Sequence, residues 1–322
     1  MSRQPQHDFY NLTPDAVLDA LEAIGFEPEA ALLGLNSYEN RVYQYRDYAN
    51  HRFVVKFYRP NRWTDEQILE EHEFCHELVE NEIPVVAPIK IQGKSLFYHN
   101  SYRFSVFQSH GGRSPNLDDE DTRKWLGRYL GRIHCLGESK PYSHRPELNL
   151  DNFARQSLDY LLTHQFLPAH VEESYQTIAQ HIIDACQEIF DRISHIQILR
   201  LHGDCHPSNV MWTDDGPHFV DFDDSRMGPA VQDIWMLIND KEDRKPLDDI
   251  LTGYEDFREF NDAELKLIEP LRAMRMIHYS AWLAKRWADP SFQMNFPWFD
   301  SNRYWEEQIL YLREQFAEIQ NQ

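Results

Sequence analysis

Residues 202–209 read His-Gly-Asp-Cys-His-Pro-Ser-Asn, and residues 220–223 read Val-Asp-Phe-Asp. Asp204 and Asn209 thus lie five positions apart, and Asp221 follows twelve positions after the asparagine. Phosphoryl transfer needs a carboxylate that accepts a hydroxyl proton, together with an amide oxygen and a second carboxylate that ligate a divalent cation. The spacing therefore predicts a phosphotransfer site in which Asp204 and Asp221 are catalytic and Asn209 and Asp221 ligate the metal.

The same spacing occurs in the catalytic loop of protein kinases, H-R-D-x-x-x-x-N, which is followed by D-F-G. Here Gly203 replaces the arginine and Asp223 replaces the glycine. In an extended strand Asp221 and Asp223 would point the same way, so Asp223 either approaches the metal or supports it from further out. Only twelve positions separate Asp221 from Asp233 and no A-P-E follows, so control by a phosphorylated activation segment is not expected. Asp233 is expected to cap a helix over 234–238 and to brace the loop.

A buried ion pair is predicted upstream of this loop. Alternating residues over 41–45 and 52–58 predict two paired strands, and Lys56 lies on the second. The helix that follows begins at a capping box that starts at Thr64. Glu71 falls within its apolar stripe, where an unpaired carboxylate is costly, so we expect it to pair with Lys56, as the lysine and glutamate that position ATP in kinases do. In the alternative, Lys56 extends to solvent at a strand edge and Glu71 faces water.

The segment expected to cover the phosphates has no G-x-G-x-x-G motif. Residues 34–41 read Gly-Leu-Asn-Ser-Tyr-Glu-Asn-Arg and precede the Lys56 strand. A hairpin can hold phosphates with backbone N–H groups and small polar side chains instead of three glycines. We therefore expect Ser37 to contact ATP, with Asn40 as a second candidate; the alternative is a plain polar turn.

The pattern of elements predicts an α+β, bilobal protein-kinase-like fold. A small N-terminal lobe with an antiparallel sheet is expected over 1–107 and binds the nucleotide, and a linker containing paired glycines is expected at 108–113. A larger, mostly helical catalytic and substrate lobe is expected over 114–322. Further strands are expected at 87–91, 95–98 and 103–107, and further helices at 14–24, 171–196, 235–238, 264–284 and 305–319.

Composition excludes several classes of function. The chain has 322 residues and a net charge of −21, which disfavours nucleic acid and anionic membranes because both require basic patches. This charge would suit a cationic substrate, or it simply keeps the protein soluble. No run of about 18 apolar residues occurs, and residues 1–8 are polar, so neither a transmembrane helix nor a secretory signal is expected and the chain should be cytoplasmic. The four cysteines lack C-x-x-C spacing and predict neither a zinc site nor disulfides.

The motifs H-G-D-x-x-x-x-N, D-F-D and G-P-x-x-x-D resemble the aminoglycoside phosphotransferase and choline kinase group. Longer segments are similar to the bacterial stress response kinase A family, namely LNSYENRVYQ (35–44), RFVVKFYRP (52–60), LRLHGDCH (199–206), GPAVQD (228–233), IEPLRAMR (268–275) and 287–299. This resemblance implies an ATP- and Mg²⁺-dependent kinase that phosphorylates serine or threonine in proteins, itself included. It also implies a cytoplasmic monomer that acts in the stress response and protects against stress-induced cell death.

By position, the resemblance assigns the proton acceptor to Asp204, the Mg²⁺ ligands to Asn209 and Asp221, and an ATP contact to Ser37. The phosphoacceptor rests on the resemblance alone. Two alternatives therefore stay open: a kinase for a hydroxyl of a small cationic metabolite, and a non-catalytic nucleotide-binding regulator. The intact set of Lys56, Asp204, Asn209 and Asp221 argues against the regulator.

Overall fold

The computed structural model of the chain describes residues 8–238 and 243–321. The expectation of no secretory signal depends on residues 1–7, which lie outside the described residues. Within the described part, a small antiparallel sheet precedes a mostly helical remainder, so the predicted α+β, two-lobed architecture is confirmed. None of the described helices combines the length and the apolar character needed to cross a bilayer.

Five strands of the N-terminal lobe form one sheet in the order β1-β2-β3-β5-β4. They are β1 (Leu33–Gly34), β2 (Arg41–Arg46), β3 (Arg52–Phe57), β4 (Phe97–His99) and β5 (Tyr102–Gln108). The expected strand at 87–91 is not formed, and only isolated bridges from Pro88 and Ile91 occur there. Proline lacks the N–H that a ladder requires, which explains why Pro88 interrupts pairing.

The two faces of this sheet have different surroundings. Tyr45, Val55 and Phe104 point to one face and are buried with residues of helix α1 (Pro14–Ala23) in the core of the lobe. Lys56 lies opposite Val42 on β2 and Ser105 on β5, on the other face. Because side chains alternate along a strand, this second face presents Lys56 to the helical lobe.

Helix α2 (Asp65–Glu80) begins as predicted. The Thr64 hydroxyl accepts the N–H of Gln67, and the Gln67 side chain accepts the N–H of Thr64, which completes the capping box. Glu71 lies on the buried face of this helix, as its position in the apolar stripe indicated.

The helical lobe surrounds two small two-stranded sheets that carry the central motifs. Its helices are α3 (Glu120–Ser139), α4 (Gln156–Thr163), α5 (Glu172–Arg192), α6 (Val231–Trp235), α7 (Lys245–Tyr254), α8 (Ile268–Arg286), α9 (Pro290–Asn295) and α10 (Asn302–Gln320). β6 (Ile198–Leu201) pairs with β9 (Arg226–Pro229), and β7 (Val210–Thr213) pairs with β8 (Gly216–Phe219). The helix expected over 264–284 is split into a 3₁₀ segment, Asp262–Leu267, and α8. Pro270 in the first turn of α8 explains the new start, because proline cannot donate the hydrogen bond that a continuous helix needs.

Candidate active site

The loop that carries Asp204 has a backbone shape that requires glycine. Gly203 lies in the left-handed region with φ of +86°, and a Cβ there would stand 2.2 Å from the carbonyl oxygen of Asp224. No other residue fits without moving one of the two motifs. The glycine that replaces the arginine of protein kinases is thus needed for the contact between the 204 and 221 segments.

The side chain of Asp233 holds this loop through hydrogen bonds to its backbone. Its carboxylate accepts the N–H groups of His202 and Gly203, each at 2.8 Å, and contacts Nε2 of buried His134 at 3.1 Å. Asp233 therefore braces the loop as predicted, but the expected capping role is wrong because it lies inside α6. The free backbone N–H at the first residue of α6, Val231, is instead bonded to the carboxylate of Glu264 at 3.0 Å.

Asp233→Asn is expected to lower the free energy of unfolding by about 3 kcal/mol, because an amide group would face buried N–H donors. Burial alone would raise the pKa of Asp233, but His134 and the loop N–H of Gly203 lower it, so the native carboxylate is ionised. Urea denaturation measures the change. Asp248→Asn, an exposed carboxylate on α7, is the control and should change stability by less than about 0.5 kcal/mol. Equal stability of the two variants would contradict the bracing role.

Asp204 and Asn209 are held together by the loop itself. The Asn209 amide nitrogen donates to the carbonyl oxygen of Asp204 at 2.9 Å, so the amide oxygen is the end left for a cation. His202 connects the two motifs, since Nδ1 accepts the N–H of Asp204 at 3.3 Å and Nε2 donates to the carbonyl of Val220 at 2.9 Å. One neutral tautomer satisfies both bonds.

The Asp204 carboxylate faces a cation from α8. Arg275 Nη2 lies 2.8 Å from Oδ1 of Asp204, and His206 Nε2 lies 3.5 Å from Oδ2. The sequence reasoning missed Arg275. The arginine lies about 70 positions downstream, and only the packing of α8 across the loop brings it to the carboxylate.

Asp221 and Asp223 do not lie on an extended strand, so the expectation that they point the same way is wrong. β8 ends at Phe219, Asp221 adopts a left-handed conformation with φ of 62°, and Phe222–Asp224 forms a 3₁₀ turn. Buried Phe222 packs against His202 with ring centroids 4.4 Å apart, which anchors the turn. As a result the Asp221 side chain is 49% exposed and that of Asp223 only 5%.

Asp223 is occupied by contacts within the protein. Asn40 Nδ2 donates to its Oδ2 at 3.1 Å, Arg62 forms a close ion pair with the same oxygen, and Arg145 donates to its backbone carbonyl at 3.0 Å. This favours the alternative in which Asp223 supports the site from further out. Arg62 was also missed, because it lies in a loop without periodicity.

Lys56 contacts the two aspartates and not Glu71. Its Nζ lies 2.7 Å from Oδ1 of Asp221 and 3.7 Å from Oδ1 of Asp223. Burial acts to lower the pKa of Lys56, but Asp221, Asp223 and Glu71 raise it well above its usual value, so the ammonium is charged.

The predicted ion pair between Lys56 and Glu71 is therefore absent from the described contacts. Glu71 instead pairs with buried Arg145, whose Nη2 lies 3.3 Å from Oε2. The physical reason is competition: Asp221 is close enough to hold the ammonium, and Arg145 reaches Glu71 from the segment between α3 and α4. Glu71 was correctly expected to need a buried cation, but its partner comes from the helical lobe.

Glu71→Gln should remove a pH dependence of stability. Burial raises the pKa of Glu71 to about 7, although Lys56 and Arg145 act to lower it. Because this pKa is above that of an unfolded glutamate, the wild type loses stability as pH rises from about 4.5 through 7, by roughly 3 kcal/mol. The unfolding free energy of the glutamine variant relative to wild type should therefore increase between pH 5 and pH 8. A constant difference over that range would contradict the buried titration.

The loop at 35–40 reaches across to the helical lobe. Glu39 accepts the Trp282 indole N–H at 2.7 Å and pairs with Arg286 at 2.6 Å. Tyr38 packs on Phe296 with ring centroids 4.8 Å apart. The loop thus lies over the site as a cover, and Ser37 lies within it.

A cleft of about 850 Å³ lies beneath this loop. Ser37, Asp204, Asn209 and Asp221 all line it, and Lys56 lies behind Asp221. Glu71 does not line the cleft. A second cavity of about 480 Å³ adjoins residues 108–111 of the proposed linker.

The linker cavity lies on the same face of the sheet as Lys56. Gln44 and Arg52 line it, and strand alternation places Arg52 on the face of Lys56, while Gln44 pairs with Val54 on that face. Lys56 lies four positions after Arg52 on β3, a distance of about 13 Å. Val42, Val54 and Phe107 supply half-buried apolar surface between the two cavities.

Asn209 and Asp221 fit a magnesium ion that shares its coordination with phosphates. Both line the cleft, the Asp221 carboxylate is half exposed, and the Asn209 amide is oriented by Asp204. Across residues 8–238 and 243–321 no group of three or more His, Cys, Asp or Glu side chains is placed to hold a metal by itself. Mg²⁺ prefers this arrangement, because it usually takes one or two carboxylates and completes its shell with phosphate oxygens and water.

Comparison with known proteins identifies relatives over almost the whole chain. Residues 32–268 match the model of a family described as the phosphotransferase enzyme family. Stress response kinase A of Escherichia coli (strain K12) is 46% identical over 314 residues, which are 97% of this chain and 95% of that protein. A Salmonella typhimurium protein named serine/threonine protein kinase RdoA is 44% identical over 309 residues, 95% of this chain and 93% of that protein.

Two solved structures show the same fold at low sequence identity. An amicoumacin kinase in complex with AMP-PNP, Ca²⁺ and Ami has a TM-score of 0.74 at 19% identity, and the match covers 94% of this chain and 93% of that one. A microcompartment-associated aminopropanol kinase has a TM-score of 0.73 at 16% identity, with 94% and 96% covered. At these identities the similarity establishes the kinase-like fold alone.

Proposed function

Because this chain belongs to the phosphotransferase enzyme family, and within it to the stress response kinase A family, we propose that it is an ATP- and Mg²⁺-dependent serine/threonine protein kinase that also phosphorylates itself. Its role would be in the bacterial stress response and in protection from stress-induced cell death, acting as a cytoplasmic monomer. The observation that carries the catalytic part is the single cleft that joins Ser37, Asp204, Asn209 and Asp221. The protein acceptor is supported by the name of the 44% identical Salmonella relative.

The nucleotide is proposed to lie along the sheet face that carries Lys56. Its base would occupy the linker cavity beside residues 108–111, and its phosphates would extend across the apolar surface of Val54 and Phe107 to Lys56 and Ser37. The proposed linker at 108–113 agrees with the contacts at its end, since Arg113 already pairs with Trp212 of β7 in the helical lobe.

In the proposed transfer, Asp204 accepts the proton of the attacking hydroxyl. The ion pair with Arg275 and the loop geometry imposed by Asp233 hold this carboxylate in place. Asn209 and Asp221 would hold Mg²⁺, which when bound offsets the charge of the phosphates. Lys56 exchanges its contact with Asp221 for the phosphates and keeps its positive charge in the cleft.

The test is label transfer from ATP labelled at its terminal phosphate. Purified protein is incubated with Mg²⁺ and a generic protein acceptor, and in parallel with a panel of amino alcohols and aminoglycosides. Label on serine or threonine of protein is expected, both on the acceptor and on the enzyme itself. Label confined to a small compound would replace the proposal by a metabolite kinase, and ATP binding without consumption would indicate a regulator.

A further inference from the structure

Helix α8 forms the cleft wall beside Asp204, and it is cationic and aromatic. Arg275, Tyr279, Trp282 and Lys285 line the cleft at spacings of four, three and three residues, which place them along one side of the helix. The sequence from 270 to 286 contains no aspartate or glutamate. This wall therefore offers a substrate positive charge and no negative charge.

Most cations around the cleft already have an acidic partner in the protein. Arg286 pairs with Glu39, and Arg62 and Arg226 both pair with Asp224. These charges are neutralised locally and add little attraction for a substrate.

Lys285 differs from them. Among residues 8–238 and 243–321 no carboxylate lies within 4 Å of its ammonium, and its neighbours are Arg286 and the ring of Tyr160 at 5.2 Å. Partial burial and Arg286 lower the pKa of Lys285, in agreement with the lack of a nearby carboxylate among the described residues. An anion in the cleft would supply it.

Arg275 has donors to spare. One of its terminal nitrogens lies against Asp204 and its side chain is 40% exposed. A guanidinium carries five N–H donors, more than one carboxylate can accept. Arg275 can therefore bind a substrate anion beside the attacking hydroxyl while it still contacts Asp204.

This wall offers few groups that could bind a cationic substrate. A quaternary ammonium needs the open face of an aromatic ring. Trp282 already has the Arg286 guanidinium over its ring at 5.2 Å and Tyr279 stacked on it at 5.7 Å. Carboxylates do line the cleft, but Asp204 and Asp221 are committed to the reaction and the others are paired with arginines.

We propose that the acceptor of this enzyme is a serine or threonine in an acidic peptide segment, bound through Arg275 and Lys285. This rests on the proposed protein kinase function. Lys285 lies ten positions after Arg275, which spans about 15 Å of helix. An extended peptide covers that distance in four to five residues. One acidic residue beside the acceptor would meet Arg275, and another four or five residues away would meet Lys285.

The net charge of −21 would suit a cationic substrate or simply keep the protein soluble, whereas the local charges of helix α8 favour an anionic segment. Screening explains the difference, because exposed charges beyond about 8 Å contribute little at physiological salt. The charge preference for a bound peptide segment is therefore determined by the side chains of helix α8 that contact it.

The test compares three serine peptides of equal length that differ only at positions next to the serine and four to five residues from it, on both sides. These positions carry glutamate, alanine or lysine. The wild type should show a kcat/KM at least tenfold higher for the glutamate peptide than for the lysine peptide. Lys285→Glu should lower that ratio by about tenfold, because it removes the preference for glutamate at the position four to five residues from the serine. Arg275→Gln should lower the ratio by removing the preference at the position next to the serine. Lys266→Glu makes the same charge change in the 3₁₀ segment before α8, outside the cleft, and should keep the wild-type ratio.

Autophosphorylation in the same reactions separates the two proposals. Autophosphorylation with equal labelling of the three peptides, or with a preference for lysine, would overturn the acidic-segment proposal and leave the kinase intact. An unchanged ratio in Lys285→Glu would overturn the assignment to α8. Absence of both peptide label and autophosphorylation would overturn the protein kinase function itself.

Discussion

Asp204→Asn is expected to lower kcat by about 10²–10⁴-fold, the contribution of a positioned general base. The amide keeps the size of the side chain and its oxygen can stay beside the Arg275 guanidinium, but it cannot accept the proton of the attacking hydroxyl. Affinity for Mg²⁺ and ATP should change little, because the proposed metal ligands are Asn209 and Asp221. The measurement is single-turnover label transfer at saturating ATP, beside nucleotide binding by calorimetry.

The matched control is Asp214→Asn, an exposed carboxylate in the turn between β7 and β8 that lies outside the cleft. It makes the same chemical change ten positions along the chain and should keep wild-type turnover. Turnover of Asp204→Asn equal to that of this control would remove Asp204 from the role of proton acceptor.

Asp221→Asn is expected to weaken Mg²⁺-dependent ATP binding and to lower turnover, each by on the order of 10²–10³-fold. The loss of one carboxylate removes the charge that opposes the cation, and an amide oxygen is a weaker ligand for a hard ion. The fold should persist, because Lys56 keeps the amide oxygen and the carboxylate of Asp223 as partners. ATP binding with and without Mg²⁺ measures the effect.

The two variants are expected to separate binding from chemistry. Asp204→Asn should bind the metal nucleotide and fail to transfer phosphate, whereas Asp221→Asn should fail at both steps. Wild-type affinity of Asp221→Asn for ATP in the presence of Mg²⁺ would falsify the ligand assignment. Urea denaturation of both proteins guards against loss of structure.

Sequence reasoning predicted those parts of the fold that depend on local chemistry. Patterns within short stretches of sequence predicted three features: the capping box at Thr64, the hairpin of β2 and β3, and the inward position of Glu71. The prediction of a strand at 87–91 was wrong for a local reason too, because Pro88 has no N–H to donate to a β-ladder.

The sequence supplied the candidate site residues but not their contacts, and their catalytic and metal-binding roles stay predictions. Asp204, Asn209 and Asp221 were chosen by spacing, and the structure brings all three to one cleft. The partner of Glu71 was predicted wrongly, because the apolar stripe shows that a cation is needed and does not show which one arrives. Arg145 comes from a segment 74 positions away.

The sequence by itself determined the candidate chemistry of this protein, namely the residue types at 204, 209 and 221, the glycine at 203 and the order of the elements that carry them. Tertiary structure alone decided which charges meet. It placed Arg275 on Asp204, Lys56 on Asp221, and Glu39 against α8, and it left Lys285 uncompensated in the cleft. The physical reason is that periodicity fixes the direction of a side chain relative to its own element, whereas the partner of a buried charge depends on how distant elements pack.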